Sequence, residues 1–251
     1  MSSTSAKASP VQAREAQISA GSVILSGELK LPKQARGIVL FAHGSGSSRF
    51  SPRNQYVARV IREAGVGTLL FDLLTPNEES ADASTGHLRF DIEFLARRLV
   101  AATNWLATDS QTKQLAVGYF GASTGGAAAL VAASELGGHI KAVVSRGGRP
   151  DLAGEALPYV TAPTLLIVGG LDHAVIEMNE VALVQLRCEK ELVIVPGATH
   201  LFEETGTLAE VAQLAAEWFV SHLSEEQNRE PQRTAIRTET LELTRYVNES
   251  L

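Results

Sequence analysis

QLAVGYFGASTGGAAALVAASEL, residues 114–136, changes character twice. The apolar run 115–120 is short and follows polar residues, as a buried strand does. Gly121-Ala122-Ser123-Thr124-Gly125 comes next without a spacer. Gly126 and the alanine-rich run to Leu136 then read as a helix. A strand, the pattern G-x-S-x-G and a helix in direct succession form the context of a nucleophile elbow, where a serine sits on a strained turn at the top of a sheet. The flanking glycines leave room where a side chain would clash with the neighbouring strand or helix. The helix N-terminus behind Ser123 adds a positive dipole end and free N–H groups. By itself the five-residue pattern also occurs in glycine-rich turns that only let a helix pack close to a sheet.

Outward from this stretch, strands and helices alternate. Apolar runs at 37–41, 67–72, 140–145, 164–168 and 191–195 read as strands. Helices are predicted at 52–64, 87–106, 174–186 and 208–223, with a short helical turn at 151–157. This alternation predicts an α/β fold, a mostly parallel sheet with helices on both faces. Two earlier strands, 14–20 and 22–31, join around Gly21 and predict an antiparallel N-terminal edge. The connection between the 140–145 and 164–168 strands has room for only a short helix, so no cap domain is expected. Residues 1–12 read as a disordered N-terminal segment, 13–223 as the α/β domain and 224–251 as a polar C-terminal tail. Within that tail, 234–247 has the pattern of an extra strand or an interaction segment, and a solvated tail is the simpler reading.

The composition narrows the function classes. The chain has 251 residues, 45% of them hydrophobic, which supports a sizeable core. Its formal net charge is −6, and no basic footprint for nucleic acid is present. The single cysteine, Cys188, excludes an intrachain disulfide and fits a reducing compartment. The N-terminus lacks the apolar core of a signal peptide, and no apolar run is long enough to span a bilayer. A cytoplasmic protein without a membrane partner is expected.

A serine hydroxyl needs a base at neutral pH, and that base needs a carboxylate to set its tautomer. In a sheet of this kind the chemistry-bearing groups project from the carboxyl ends of strands. Asp172 follows the 164–168 strand in Gly169-Gly170-Leu171-Asp172, and His200 follows the 191–195 strand in Pro196-Gly197-Ala198-Thr199-His200. Ser123, Asp172 and His200 are therefore the catalytic candidates, in the chain order of a hydrolase triad. The oxyanion hole is expected from the N–H of Thr124 and, after the first buried parallel strand, the N–H of Ser45, with Gly44 as the near alternative. His43 is read as a turn-stabilising residue, and Asp72 as a hydrogen-bond acceptor. Glu203 and Glu204 could orient the His200 loop, although surface solvation is the simpler reading. Among the loop arginines, Arg49 and Arg146 are candidate substrate-binding residues that would hold an anionic group. The competing reading pairs the loop arginines internally with Asp151, Asp72 or Glu78.

These residues together resemble the α/β-hydrolase superfamily, and more narrowly the dienelactone hydrolase family. The resemblance rests on Phe41-Ala42-His43-Gly44-Ser45-Gly46, Gly121-Ala122-Ser123-Thr124-Gly125-Gly126, Val168-Gly169-Gly170-Leu171-Asp172 and the loop Gly197-Ala198-Thr199-His200-Leu201-Phe202. It implies cleavage of a small-molecule ester or lactone through a covalent acyl-enzyme, with no cofactor and no metal. Dienelactone hydrolase itself looks to use a cysteine nucleophile where this chain has Ser123, which is more similar to serine carboxylesterases. The resemblance extends to chains in which such a domain is fused to a phosphoribosyltransferase, making the polar tails candidates for contact with a partner. Acyl transfer, peptide cleavage and a slow-turnover binding or regulatory protein are the alternative functions. Nucleotide binding is disfavoured, because neither G-x-G-x-x-G nor a P-loop lysine-serine pair is present.

Overall fold

The computed structural model describes residues 11–224. The calls on 1–10 and 225–251, including the 234–247 segment, lie outside the described residues. Eight strands form one sheet: β1 Val11–Ala20, β2 Val23–Pro32, β3 Gly37–Ala42, β4 Gly67–Phe71, β5 Ala116–Ala122, β6 Ile140–Arg146, β7 Thr164–Gly169 and β8 Lys190–Val195. Their spatial order is β1-β2-β4-β3-β5-β6-β7-β8. β2 is antiparallel to both β1 and β4, and every other pairing is parallel. This is the α/β-hydrolase fold with its antiparallel N-terminal edge.

Six α-helices accompany the sheet: α1 Pro52–Glu63, α2 Pro76–Asp82, α3 Ile92–Thr108, α4 Thr124–Leu136, α5 His173–Gln185 and α6 Thr207–Leu223. Side-chain alternation along the central strands sorts the core into two layers. Ile38 and Leu40 of β3 pack with Leu99 of α3 and Leu130 of α4. Val39 and Phe41 face the other way, onto Val57 and Ile61 of α1 and Phe219 of α6. The β6–β7 connection holds only a 3-10 segment, Pro150–Tyr159, kinked at Gly154, and among the described residues no cap covers the sheet. No helix among the described residues is long and apolar enough to cross a membrane.

Two boundaries and one helix differ most from the sequence reading. Val11 and Gln12, assigned to the disordered segment, begin β1 and pair with Pro32 and Leu31. The long helix predicted at 87–106 starts at Ile92, after a 3-10 turn at Leu88–Phe90. Asp91 stops its extension toward the N-terminus by accepting from Phe94 N–H at 2.9 Å as the N-cap. Helix α2 was not predicted. Thr75 and Glu78 close a capping box around its first turn, a signal legible as T-P-N-E but attached to only seven residues.

One buried polar contact ties the elbow strand to α3. Tyr119 Oη lies 2.6 Å from Thr103 Oγ1, which donates to Leu99 O at 3.0 Å. Thr103 has one hydroxyl proton, so Tyr119 is the donor of the pair. Burial pushes the Tyr119 phenol well above its ordinary range. Tyr119→Phe is expected to cost about 1 kcal/mol in urea unfolding, the value of one neutral hydrogen bond whose partner stays satisfied. An unchanged midpoint would show that the hydroxyl contributes nothing.

Candidate active site

β3 has β4 on one side and β5 on the other, so the connections leaving β3 and β5 border the same crevice. Such a reversal in strand order is where open α/β sheets bind ligands. Ser123 sits there, between β5 and α4, at φ 52° and ψ −123°. A non-glycine residue in this region stores about 1–3 kcal/mol of strain. The turn is held from three sides: Ser123 N–H donates to Arg146 O at 3.3 Å, and Ser123 O accepts from Gly126 N–H at 3.0 Å and Arg149 N–H at 3.2 Å. The serine hydroxyl makes no capping bond to the helix that it precedes, so its proton and lone pairs are left for chemistry.

Asp172 and His200 come from neighbouring strand ends. Their loops are bound together by Gly170 N–H to Val195 O at 2.8 Å and Leu171 N–H to Ala198 O at 2.9 Å. His200 Nδ1 lies 2.7 Å from Asp172 Oδ2. An ionised carboxylate only accepts, so Nδ1 carries the proton and Nε2 is the free basic nitrogen. Asp172 is the more enclosed of the two, its side chain 16% exposed against 41% for His200. The imidazole lies along Gly147, just past β6, where a Cβ would be 3.6 Å from His200 Cε1. Arg146, one residue earlier, receives the Ser123 N–H. All three candidates thus stand at one end of the sheet, behind β5, β7 and β8. Among the described residues no hydrogen bond joins His200 to Ser123 Oγ, as is common before substrate aligns the pair.

The two expected oxyanion donors are also neighbours. Thr124 is the first residue of α4, so its N–H has no intrahelical acceptor. Ser45 N–H points at Thr124 Oγ1, 3.1 Å away. The sequence reading missed this role of the threonine side chain, which sets the position of the loop after β3. The signal was the hydroxyl residue directly after the nucleophile.

Both nitrogens of the His43 ring are engaged by the backbone. Its Nε2 accepts from Leu73 N–H at 3.0 Å, and its Nδ1 lies 3.0 Å from Gly44 O. Accepting at Nε2 requires a neutral ring with the proton on Nδ1. Burial pushes its pKa below the ordinary 6.5, against smaller raising effects of Gly44 O, Asp72 and Glu79. An unfolded His43 therefore takes up a proton below pH 6.5 that the folded one refuses. Its stabilising contribution is complete above that pH and is lost as the pH falls further. Melting temperature between pH 7.5 and 5 should drop less steeply for His43→Asn than for the parent, and parallel curves would disprove the assignment.

The loop arginines are mostly engaged. Arg49 donates from its backbone to Asp72 at 2.8 Å, and its guanidinium pairs with the same carboxylate. Arg149 forks onto Asp151 at 2.9 and 2.7 Å. Glu78 is held by Arg98 instead. Arg146 is buried over the Phe202 ring beside Asn54, with Nε and Nη1 unpartnered. Burial first, then the charge of Arg53, pushes its pKa down to about 10. Arg49 is thus held by Asp72, whereas Arg146 keeps two guanidinium nitrogens without a hydrogen-bond partner among the described residues. Glu204, read as surface solvation, clasps the His200 loop by accepting from Thr199 N–H at 3.1 Å and Oγ1 at 2.6 Å. Those bonds, the hydroxyl first, lower its pKa. Among the described residues no group of three or more His, Cys, Asp or Glu could hold a metal ion.

A family model for the dienelactone hydrolase family matches residues 25–225. The chain belongs to the dienelactone hydrolase family. A dienelactone hydrolase from Anabaena variabilis is 63% identical in sequence, with a TM-score of 0.84 over 85% of this chain and 99% of that one. Two Mycobacterium tuberculosis proteins named "Putative phosphoribosyl transferase" are 58% identical over 214 residues, 85% of this chain and 47% of theirs. The chain thus spans about half the length of the curated relatives it matches. The protein Est1E from Butyrivibrio proteoclasticus shares the fold at 18% identity and a TM-score of 0.69. Family membership and fold together support hydrolase activity.

Proposed function

We propose that this chain is a serine hydrolase that cleaves a small carboxylic ester, lactone or thioester through an acyl-enzyme. The 2.7 Å contact between His200 Nδ1 and Asp172 Oδ2, beside a strained Ser123, carries this reading. Ser123 Oγ attacks the substrate carbonyl while His200 Nε2 takes its proton. Asp172 holds the imidazole in the required tautomer and stabilises the imidazolium that forms. The N–H groups of Thr124 and Ser45 receive the developing oxyanion. For Ser45 this means turning its N–H from Thr124 Oγ1 to the substrate oxygen. His200 next protonates the leaving group as the tetrahedral intermediate collapses. It then takes a proton from water, whose oxygen releases the acyl group and restores Ser123. The chemistry described needs no cofactor.

The name of the mycobacterial relatives supplies no second reading for these residues. They cover about half of those proteins, and the placement of Ser123, Asp172 and His200 supports acyl chemistry. The test is fluorophosphonate labelling read by intact mass, together with hydrolysis of short p-nitrophenyl esters. Stoichiometric labelling with turnover is the expected result. A chain that neither labels nor turns over would overturn the reading.

A further inference from the structure

A cavity of about 260 Å³ opens beside the loop that follows β3. His43, Gly44 and Ser45 form one wall, and Leu73, Leu74 and Leu95 are on its lining. The three leucines are buried, so this part of the cavity is hydrocarbon. The loop has a second side, toward the nucleophile: a Cβ on Gly44 would lie 3.1 Å from Ser123 Cβ. Among the described residues, none that line the cavity come from the loop carrying His200.

This placement decides which half of an ester the cavity can receive. The leaving group must lie against His200, which protonates it. The carbonyl oxygen must lie at the Ser45 and Thr124 amides. The acyl chain is then directed away from His200, past the loop and toward the cavity. At about 30 Å³ for each water-sized group, there is space for about eight or nine of them.

The charges around the cavity set its selectivity. Asp82 is fully enclosed and accepts from Arg89 Nε at 2.7 Å and from Leu88 N–H at 2.6 Å. Arg89 Nη2 donates to Asp82 O at 2.9 Å, so this cation is balanced where it stands. His43 is neutral, as argued above. Glu79 also lines the cavity, at its solvent-exposed edge, and its carboxylate has no hydrogen-bond or ion-pair partner among the described residues. The cavity is therefore part hydrocarbon and part polar, and the exposed Glu79 places one unpaired negative charge on its lining. A carboxylate entering it would lose water, gain no free cation and meet a like charge.

We propose that this cavity is the acyl pocket, that it takes a short, uncharged acyl group, and that Glu79 excludes acyl groups ending in a second carboxylate. This rests on the serine hydrolase reading and reverses the expectation of an anionic substrate. The test compares p-nitrophenyl hexanoate with mono-p-nitrophenyl adipate, which has the same acyl length but ends in a carboxylate. For the parent chain kcat/KM should favour the hexanoate by about 30-fold or more. Glu79→Gln should shrink this ratio by about threefold to tenfold, and Glu79→Lys further. A parent ratio near one, or a ratio unmoved by both substitutions, would overturn the proposal while leaving the hydrolase reading intact. Calorimetry on Ser123→Ala tests the pocket without turnover. Methyl hexanoate should bind at least about tenfold tighter than monomethyl adipate, and equal binding would overturn the pocket. Failure of the hydrolase reading would appear instead as a parent chain that neither labels nor turns over.

Discussion

Ser123→Ala is expected to abolish fluorophosphonate labelling and to lower kcat on p-nitrophenyl esters by about 10⁴- to 10⁶-fold. The substitution removes only the hydroxyl. The backbone at φ 52° must still be held by the bonds to Arg146, Gly126 and Arg149, so the fold should survive. Substrate can still reach the Thr124 and Ser45 amides, which is why a residual rate above that of water is expected. Asp172→Asn provides the companion measurement. An amide can donate its NH2 to Nδ1, which a carboxylate cannot, so the imidazole takes the wrong tautomer and kcat should fall by about 10⁴. Circular dichroism must match the parent for both variants. Retained labelling or near-parental turnover in Ser123→Ala would mean that another residue is the nucleophile.

Gly125→Ala is expected to be the most destabilising single-methyl change near the site. An added Cβ would fall well inside contact distance of Ala42 O, 2.7 Å from Ala42 C and 2.8 Å from His43 O. All of these are backbone atoms at the end of β3, so no flexible side chain can move aside. Overpacking of this kind costs about 1–3 kcal/mol where side chains can adjust, and a cost at or above the top of that range is expected here. Any shift that relieves the clash moves His43 and the loop carrying Ser45, so esterase activity should fall with stability. Gly138→Ala is the control, because a Cβ there meets nothing within 4 Å. It should stay within about 0.5 kcal/mol of the parent. Equal urea midpoints for the two variants would disprove the close approach of α4 to β3.

The strands were legible because a parallel sheet buried on both faces needs short apolar runs, and 37–41 and 164–168 are such runs with turn residues behind them. Ser123, Asp172 and His200 were legible because each stands in the turn behind a strand. The stretch 76–91 was not, because its shape is set by side chains reaching across the turn. Asp82 accepts from the N–H groups of Leu88 and Arg89 and takes the Arg89 guanidinium, which folds the chain back before α3 can begin. A periodicity argument cannot register such a contact. Arg49 and Arg146 illustrate the same limit. Their composition suggests an anion site, but the partners of a guanidinium depend on what the fold brings to it. Asp72 lies at the end of β4 and Asn54 in the first turn of α1, each some distance along the chain.

The amino-acid sequence by itself determined the alternation of strands and helices, the antiparallel edge, the elbow around Ser123 and the order in which the candidate triad appears. These follow from periodicity and turn chemistry, which act over a few residues. Only the tertiary structure decided that His200 Nδ1 faces Asp172, that Thr124 Oγ1 holds Ser45 N–H, and that Glu79 lines the cavity beside the loop after β3 with no partner among the described residues. Those outcomes depend on side chains separated by tens of residues meeting within about 3 Å, and no local rule sets that distance.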